Sequence, residues 1–141
     1  MSDEAPRKFN HVVVRWDGDN RFDGLRLGSE KSIRIDADAV TGPGPVDTLL
    51  CALAACTAVD VVEIMKKRRT PVQGLTVEVV GDRARATPAR LTKIHITYKM
   101  RGAGIERPHA ERAINLAVNR YCSVRDSLDK EMPVEWSLEL S

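Results

Sequence analysis

Apolar and polar residues alternate through the first third of the chain, the two-residue period of strands that keep one face wet. His11-Val12-Val13-Val14-Arg15-Trp16, Arg21-Phe22, Leu25-Arg26-Leu27 and Ser32-Ile33-Arg34-Ile35 read as short strands, with Asp17-Gly18 and Asp23-Gly24 as the turns between the first of them. Gly42-Pro43-Gly44-Pro45 ends this pattern. Residues 46–69 then contain no Gly or Pro and are dense in Ala and Leu, which predicts a long helix. Leu49, Leu50, Ala52, Leu53, Ala54, Ala55, Ala58 and Val59 make nearly every side of its middle apolar or small, so it is expected to run through the core with neighbours on several faces. Lys66, Lys67, Arg68 and Arg69 fall in its last turn, where cations complement the helix dipole, and Thr70-Pro71 stops it.

Alternation returns at Leu75, Val77 and Val79 and again at Ile94, Ile96, Tyr98 and Met100, predicting two half-buried strands. Pro108 suits a first helical turn, and Ala110, Ala113, Ile114, Ala117, Val118, Tyr121, Val124 and Leu128 recur at spacings of three and four. They predict a second, amphipathic helix with a break near Tyr121. Val134, Trp136, Leu138 and Leu140 form a last alternating strand. The order βββ-α-ββ-α-β is α+β, with the helices collected on one side of largely antiparallel sheet. Without repeats, low-complexity stretches or a linker, residues 1–141 read as one domain. Residues 1–8 carry no apolar run and are expected to be a flexible tail rather than a signal peptide or anchor.

Charge adds little. The 22 Lys and Arg nearly balance the 20 Asp and Glu, so no field follows that would collect nucleic acid or anionic lipid, and the basic cluster is explained by the helix end. The most apolar run, residues 49–59, is shorter than the roughly 20 residues of a membrane span. Three cysteines, an odd number, point to a reducing, cytoplasmic setting and not to a disulfide framework.

Those cysteines are the candidate chemistry. Cys51 and Cys56 are about 140° apart around one helix and cannot bridge each other there. Cys122 lies on or just after the second helix, and two helices packed on one sheet can bring it to Cys56. A cysteine among Ala and Leu can serve simply as a small buried hydrophobe. A reactive thiolate three turns into a helix needs a cation from another segment, for which Arg15, Arg21, Arg26 and Arg125 are the candidates. Asp47, Asp60 and Glu63 are candidate acids, although Asp47 suits a first helical turn anyway and Glu63 can pair with Lys67. His11, His95 and His109 lack ligand spacing, and no phosphate-binding, dinucleotide or serine-nucleophile motif occurs, so neither a metal nor a bound cofactor is expected.

Gly42-Pro43-Gly44-Pro45-Val46-Asp47-Thr48-Leu49-Leu50, the Ala-Ala-Cys-Thr-Ala-Val-Asp-Val-Val of residues 54–62, and Tyr121-Cys122-Ser123-Val124 together resemble the OsmC/Ohr family, the osmotically inducible and organic hydroperoxide resistance proteins and their OsmC-like relatives. The resemblance covers nearly the whole chain. It implies the OsmC-like fold and an intertwined homodimer with a two-cysteine site at each subunit interface. It further implies that Cys56 attacks an organic or lipid hydroperoxide, that Cys122 resolves the sulfenic acid to a disulfide, and that an external dithiol, commonly a lipoylated protein, resets the pair. One position departs from the hydroperoxidases. The family glutamate that follows the helix-opening proline and orients the activating arginine is here Val46, and the acid comes one residue later at Asp47, about 100° around the helix. That pattern is nearer the OsmC-like branch. The alternative from a different class is a non-enzymatic dimer that senses redox state or holds a small lipophilic ligand.

Overall fold

The structure, a computed structural model, describes residues 8–141, so the tail expected over residues 1–8 lies, except for Lys8, outside the described residues. Two compact units divide the chain, Met1–Thr48 and Leu49–Ser141.

In the first unit, β1 (Val12–Trp16), β2 (Arg21–Arg26) and β3 (Ser32–Asp36) form an antiparallel sheet in that order. Gly18 at φ 83° and Asp19 at φ 47° make the first turn, closed by the Arg21 N–H donating to the Gly18 carbonyl at 2.9 Å. The second expected turn is strand instead. Asp23 pairs with Arg15 and Arg34, and Gly24 with Val14 and Ile33, so β2 runs unbroken. The Arg34 guanidinium holds Asp23 extended by donating to its carboxylate at 2.9 Å across the strands, and the chain reverses later, where Gly28 takes φ 83°. Val12, Val14, Trp16 and Ile33 share one face of this sheet and are each more than half exposed. At the end of β3 the buried Asp36 carboxylate accepts the Asp38, Val40 and Thr41 N–H groups and the Thr41 hydroxyl. Those bonds, the Thr41 N–H foremost, pull its pKa down to about 2 against the cost of burial.

Helix α1 (Pro45–Lys67) begins with proline in its first turn. The Gly44 N–H donates to Asp47 Oδ2 at 2.9 Å, so Asp47 caps the helix. Its C-terminus comes two residues earlier than the sequence predicts. Arg69 takes the left-handed φ of 65°, the Arg69 N–H donates to the Lys66 carbonyl and the Thr70 N–H to that of Met65, a closing motif that leaves Arg68 and Arg69 beyond the last turn.

The second unit contains β4 (Gly74–Arg83), β5 (Leu91–Arg101) and β6 (Val134–Leu140), with β5 central, antiparallel to β4 and parallel to β6. Ile94, Ile96, Tyr98 and Met100 on alternate positions of β5 are buried, as the alternation predicts. Against them lie α1 and α2 (Arg107–Leu116), whose Ala110, Ala113 and Ile114 are buried. The expectation that α1 is covered on several faces fails. Within α1 the buried residues are Leu53, Thr57, Val61 and Met65, a single stripe at four-residue spacing, whereas Val59 is 61% exposed. An aliphatic composition all round a helix does not supply neighbours all round, and this sheet presents one surface for one ridge. With 23 residues α1 is also longer than the apolar run seen in sequence, long and apolar enough to cross a membrane by length and composition. Its Leu53, Val61 and Met65 nevertheless belong to the same core cluster as the buried residues of β5 and α2.

A π-turn (Ala117–Tyr121) and a short helix α3 (Ser123–Asp126) follow α2, placing the interruption where the periodicity puts it. In the π-turn the Cys122 N–H donates to the Ala117 carbonyl, five residues back, at 3.0 Å. This widened turn corrects one assignment. Continued α-helix would put Tyr121 on the buried face with Ala117 and Val118; instead Tyr121 is 53% exposed and Cys122 turns inward, 3% exposed.

Candidate functional site

Cys56 and Cys122 come together in the second unit. Cys56 is half-buried on one flank of α1, packed against the core cluster to which Cys122 belongs, and both are free thiols. Backbone devices fix Cys122. The π-turn bond holds its amide, and its sulfur caps α3 by accepting the Arg125 N–H at 3.2 Å. Burial pushes its pKa from the ordinary 9.0 up to about 11, opposed by the Arg125 N–H, while the nearby Cys56 side chain raises it further by hydrogen bonding and charge. At neutral pH Cys122 is therefore a protonated thiol. Cys51, the third, is exposed.

The only buried side-chain polar pair of this unit, among the described residues, sits beside Cys56. Tyr98 on β5 donates its hydroxyl proton to Thr57 Oγ1 at 2.7 Å, and Thr57 donates in turn to the Ala54 carbonyl at 3.0 Å. Burial raises the Tyr98 pKa from 10.0 to about 12, the Thr57 hydrogen bond opposes this, and the charge of a Cys122 thiolate adds to it. Nothing in the sequence marks Thr57 or Tyr98 as part of a site, because a threonine in a helix and a tyrosine in a buried strand are ordinary residues until they meet.

These two groups make the fold less stable at alkaline pH. In the unfolded chain a cysteine loses its proton near pH 9 and a tyrosine near 10, whereas here the values are about 11 and 12. The unfolded state therefore binds fewer protons between pH 9 and 12, and stability falls as pH rises through that window. Melting temperatures are expected to decline across it, and Cys122→Ala should flatten the lower part of the decline. An unchanged slope would show that Cys122 is not held protonated by its surroundings.

The remaining candidates sort by their partners. Arg21 is engaged with its own turn, donating twice to the Asp17 carbonyl at 3.1 and 3.3 Å, whereas Arg15 and Arg26 have no side-chain partner among the described residues. Arg125 donates to the carbonyls of Asp129, Lys130 and Met132, so its guanidinium organises a loop. Asp47 is committed to the helix cap. Asp60, by contrast, is half-buried with no hydrogen-bond or ion-pair partner among the described residues, and it follows Cys56 by four positions on the same helix flank. A hollow of about 340 Å³ lies elsewhere, on the apolar face of the first sheet, lined by Val12, Val14, Ile33 and Ile35 among others.

Comparison with known proteins gives a consistent picture. Residues 36–137 match the family model described as OsmC-like protein. Protein YhfA of Escherichia coli K12 is 31% identical over 127 residues, 90% of this chain and 95% of that protein. Among solved structures, an OsmC-like protein from Mycoplasma pneumoniae superposes with a TM-score of 0.79 at 18% identity, covering 94% of this chain and 97% of that one. The organic hydroperoxide resistance protein OhrB of Bacillus subtilis superposes with a TM-score of 0.60 at 18% identity, covering 95% and 98%. At those identities the superpositions speak for the fold.

Proposed function

Because this chain belongs to the OsmC-like protein family, we propose that it is a thiol-dependent peroxidase that reduces organic or lipid hydroperoxides. The observation that carries the reading is the pair itself: a half-buried Cys56 beside a buried, protonated Cys122, both reduced. The Cys56 thiolate attacks the distal peroxide oxygen, the O–O bond breaks, and the alkoxide leaves as alcohol after taking a proton. Cys56 is then a sulfenic acid. Cys122 attacks its sulfur, losing the thiol proton as hydroxide departs, and water and a Cys56–Cys122 disulfide result. An external dithiol, of the lipoyl type in related proteins, returns two electrons by exchange.

Supporting roles follow from what is already engaged. Of the arginines named for activating Cys56, Arg15 and Arg26 have uncommitted guanidinium groups. Asp60, four residues after Cys56, has an uncommitted carboxylate, whereas Asp47 is held by the helix cap. The site is taken to operate in a homodimer, as the resemblance implies, and the exposed apolar face of α1 around Val59 fits such a contact. A second reading, a binding protein for a small lipophilic molecule, is favoured by the apolar hollow on the first sheet.

One experiment separates them. Reduced protein is treated with one equivalent of cumene hydroperoxide or of hydrogen peroxide, then examined by intact mass and peptide mapping. Rapid loss of two hydrogens mapped to Cys56 and Cys122, faster with the organic oxidant, is the expected result. Cysteines that stay reduced, or oxidise slowly and equally with both, would end the peroxidase reading and direct attention to the hollow.

A further inference from the structure

Disulfide formation tolerates little misplacement, since bridged cysteines keep Cα atoms roughly 4.4–6.8 Å apart with a restricted dihedral. Cys122 meets that demand through directional bonds, its π-turn amide and its capping sulfur. Cys56 rides on a helix whose buried stripe is, except at Thr57, aliphatic or thioether. Such packing is strong but has no direction. A slip of one residue along α1 moves a side chain by about 1.5 Å and turns it by about 100°.

The Tyr98 hydroxyl supplies the missing direction. Among the described residues, its 2.7 Å bond to Thr57 is the only side-chain hydrogen bond joining α1 to the sheet of β4, β5 and β6. Thr57 is the residue next to Cys56 in the chain, so whatever fixes Thr57 fixes Cys56 along and around the helix. The donor order is also determined. Thr57 gives its proton to the Ala54 carbonyl, and Tyr98 must donate to Thr57. Both groups are fully buried, where an unmet donor is costly, so alternative registers of α1 are penalised.

We infer that Tyr98 and Thr57 are positioning residues that index α1 on β5 so that the Cys56 sulfur meets Cys122. The inference rests on the thiol-pair reading above and adds a determinant of how readily the pair closes. It concerns the exchange in which the protein dithiol and oxidised glutathione give the protein disulfide and two reduced glutathiones, a reaction balanced in atoms and electrons.

The test measures that equilibrium by mass spectrometry in glutathione buffers of stepped ratio, for the wild type, Tyr98→Phe, Thr57→Val, Thr57→Ser and the Tyr98→Phe/Thr57→Val double variant. Melting of each reduced protein is followed alongside. Tyr98→Phe leaves no buried polar group unpartnered, because Thr57 keeps the Ala54 carbonyl, so it is the variant most secure in folding. A drop of about tenfold in the equilibrium constant is expected for Tyr98→Phe and Thr57→Val, or about 30 mV for this two-electron couple. Thr57→Ser, which keeps the hydroxyl, should stay near wild type, and the double variant should fall no further than the worse single. If all constants stay within about twofold while reduced-form melting temperatures drop, the pair only stabilises packing and the inference is overturned. A wild type that never forms the bridge at any ratio would sink the thiol-pair reading itself, a failure recognisable without any variant.

Discussion

Cys56→Ser is expected to abolish hydroperoxide reduction, by a factor on the order of 10³ or more, because it removes the attacking sulfur rather than weakening its support. Cys122→Ser should behave differently. The first half-reaction does not use the Cys122 sulfur, so one equivalent of organic hydroperoxide should still be consumed and Cys56 should gain one oxygen. Without the resolving thiol the sulfenic acid accumulates and is open to overoxidation or capture by a small thiol. Rapid-mix consumption of cumene hydroperoxide, followed by mass analysis of dimedone-labelled protein, distinguishes the two variants. Equal first-turnover rates in Cys56→Ser and wild type would remove Cys56 from the chemistry altogether.

The second large effect concerns stability. Leu53 is fully buried at the start of the α1 stripe, and Leu53→Ala is expected to cost about 2–5 kcal/mol, the range for truncation where a core collapses incompletely. Val59, on the same helix but 61% exposed, should tolerate Val59→Ala within about 0.5 kcal/mol in a single chain. Urea unfolding midpoints measure both. A Val59→Ala loss as large as that of Leu53→Ala would report burial of the exposed face by a second copy, so the comparison also probes the proposed dimer.

Where one period and one surface decided the outcome, the sequence was a good guide. Ile94, Ile96, Tyr98 and Met100 face the core because a strand has two sides, and Ala110, Ala113 and Ile114 do so because α2 is amphipathic. It misled where composition was read as geometry. Asp23-Gly24 looks like a turn, yet a cross-strand arginine keeps it in β2. The apolar middle of α1 does not distinguish a helix enclosed on all sides from one resting on a single ridge. Tyr121 was misplaced by one residue of phase, since nothing local announces a π-turn. For the candidate site, the two cysteines are legible as types and as a resemblance, and Asp47 as an acid suited to the first helical turn, where it caps the helix. The polar pair beside Cys56 was not, because Thr57 and Tyr98 are far apart in the chain and acquire meaning only through the packing of α1 on β5.

The parallel pairing of β6 with β5 has a consequence in time. β4 and β5 are joined directly and antiparallel, so their hairpin can form locally, on the microsecond scale of such elements. β6 runs in the same direction as β5 and reaches it only after the intervening helices have carried the chain back. The open edge of the central strand therefore waits for an element made well after it, and closure of that long loop is the step at which an incompletely folded chain is most exposed to pairing with another.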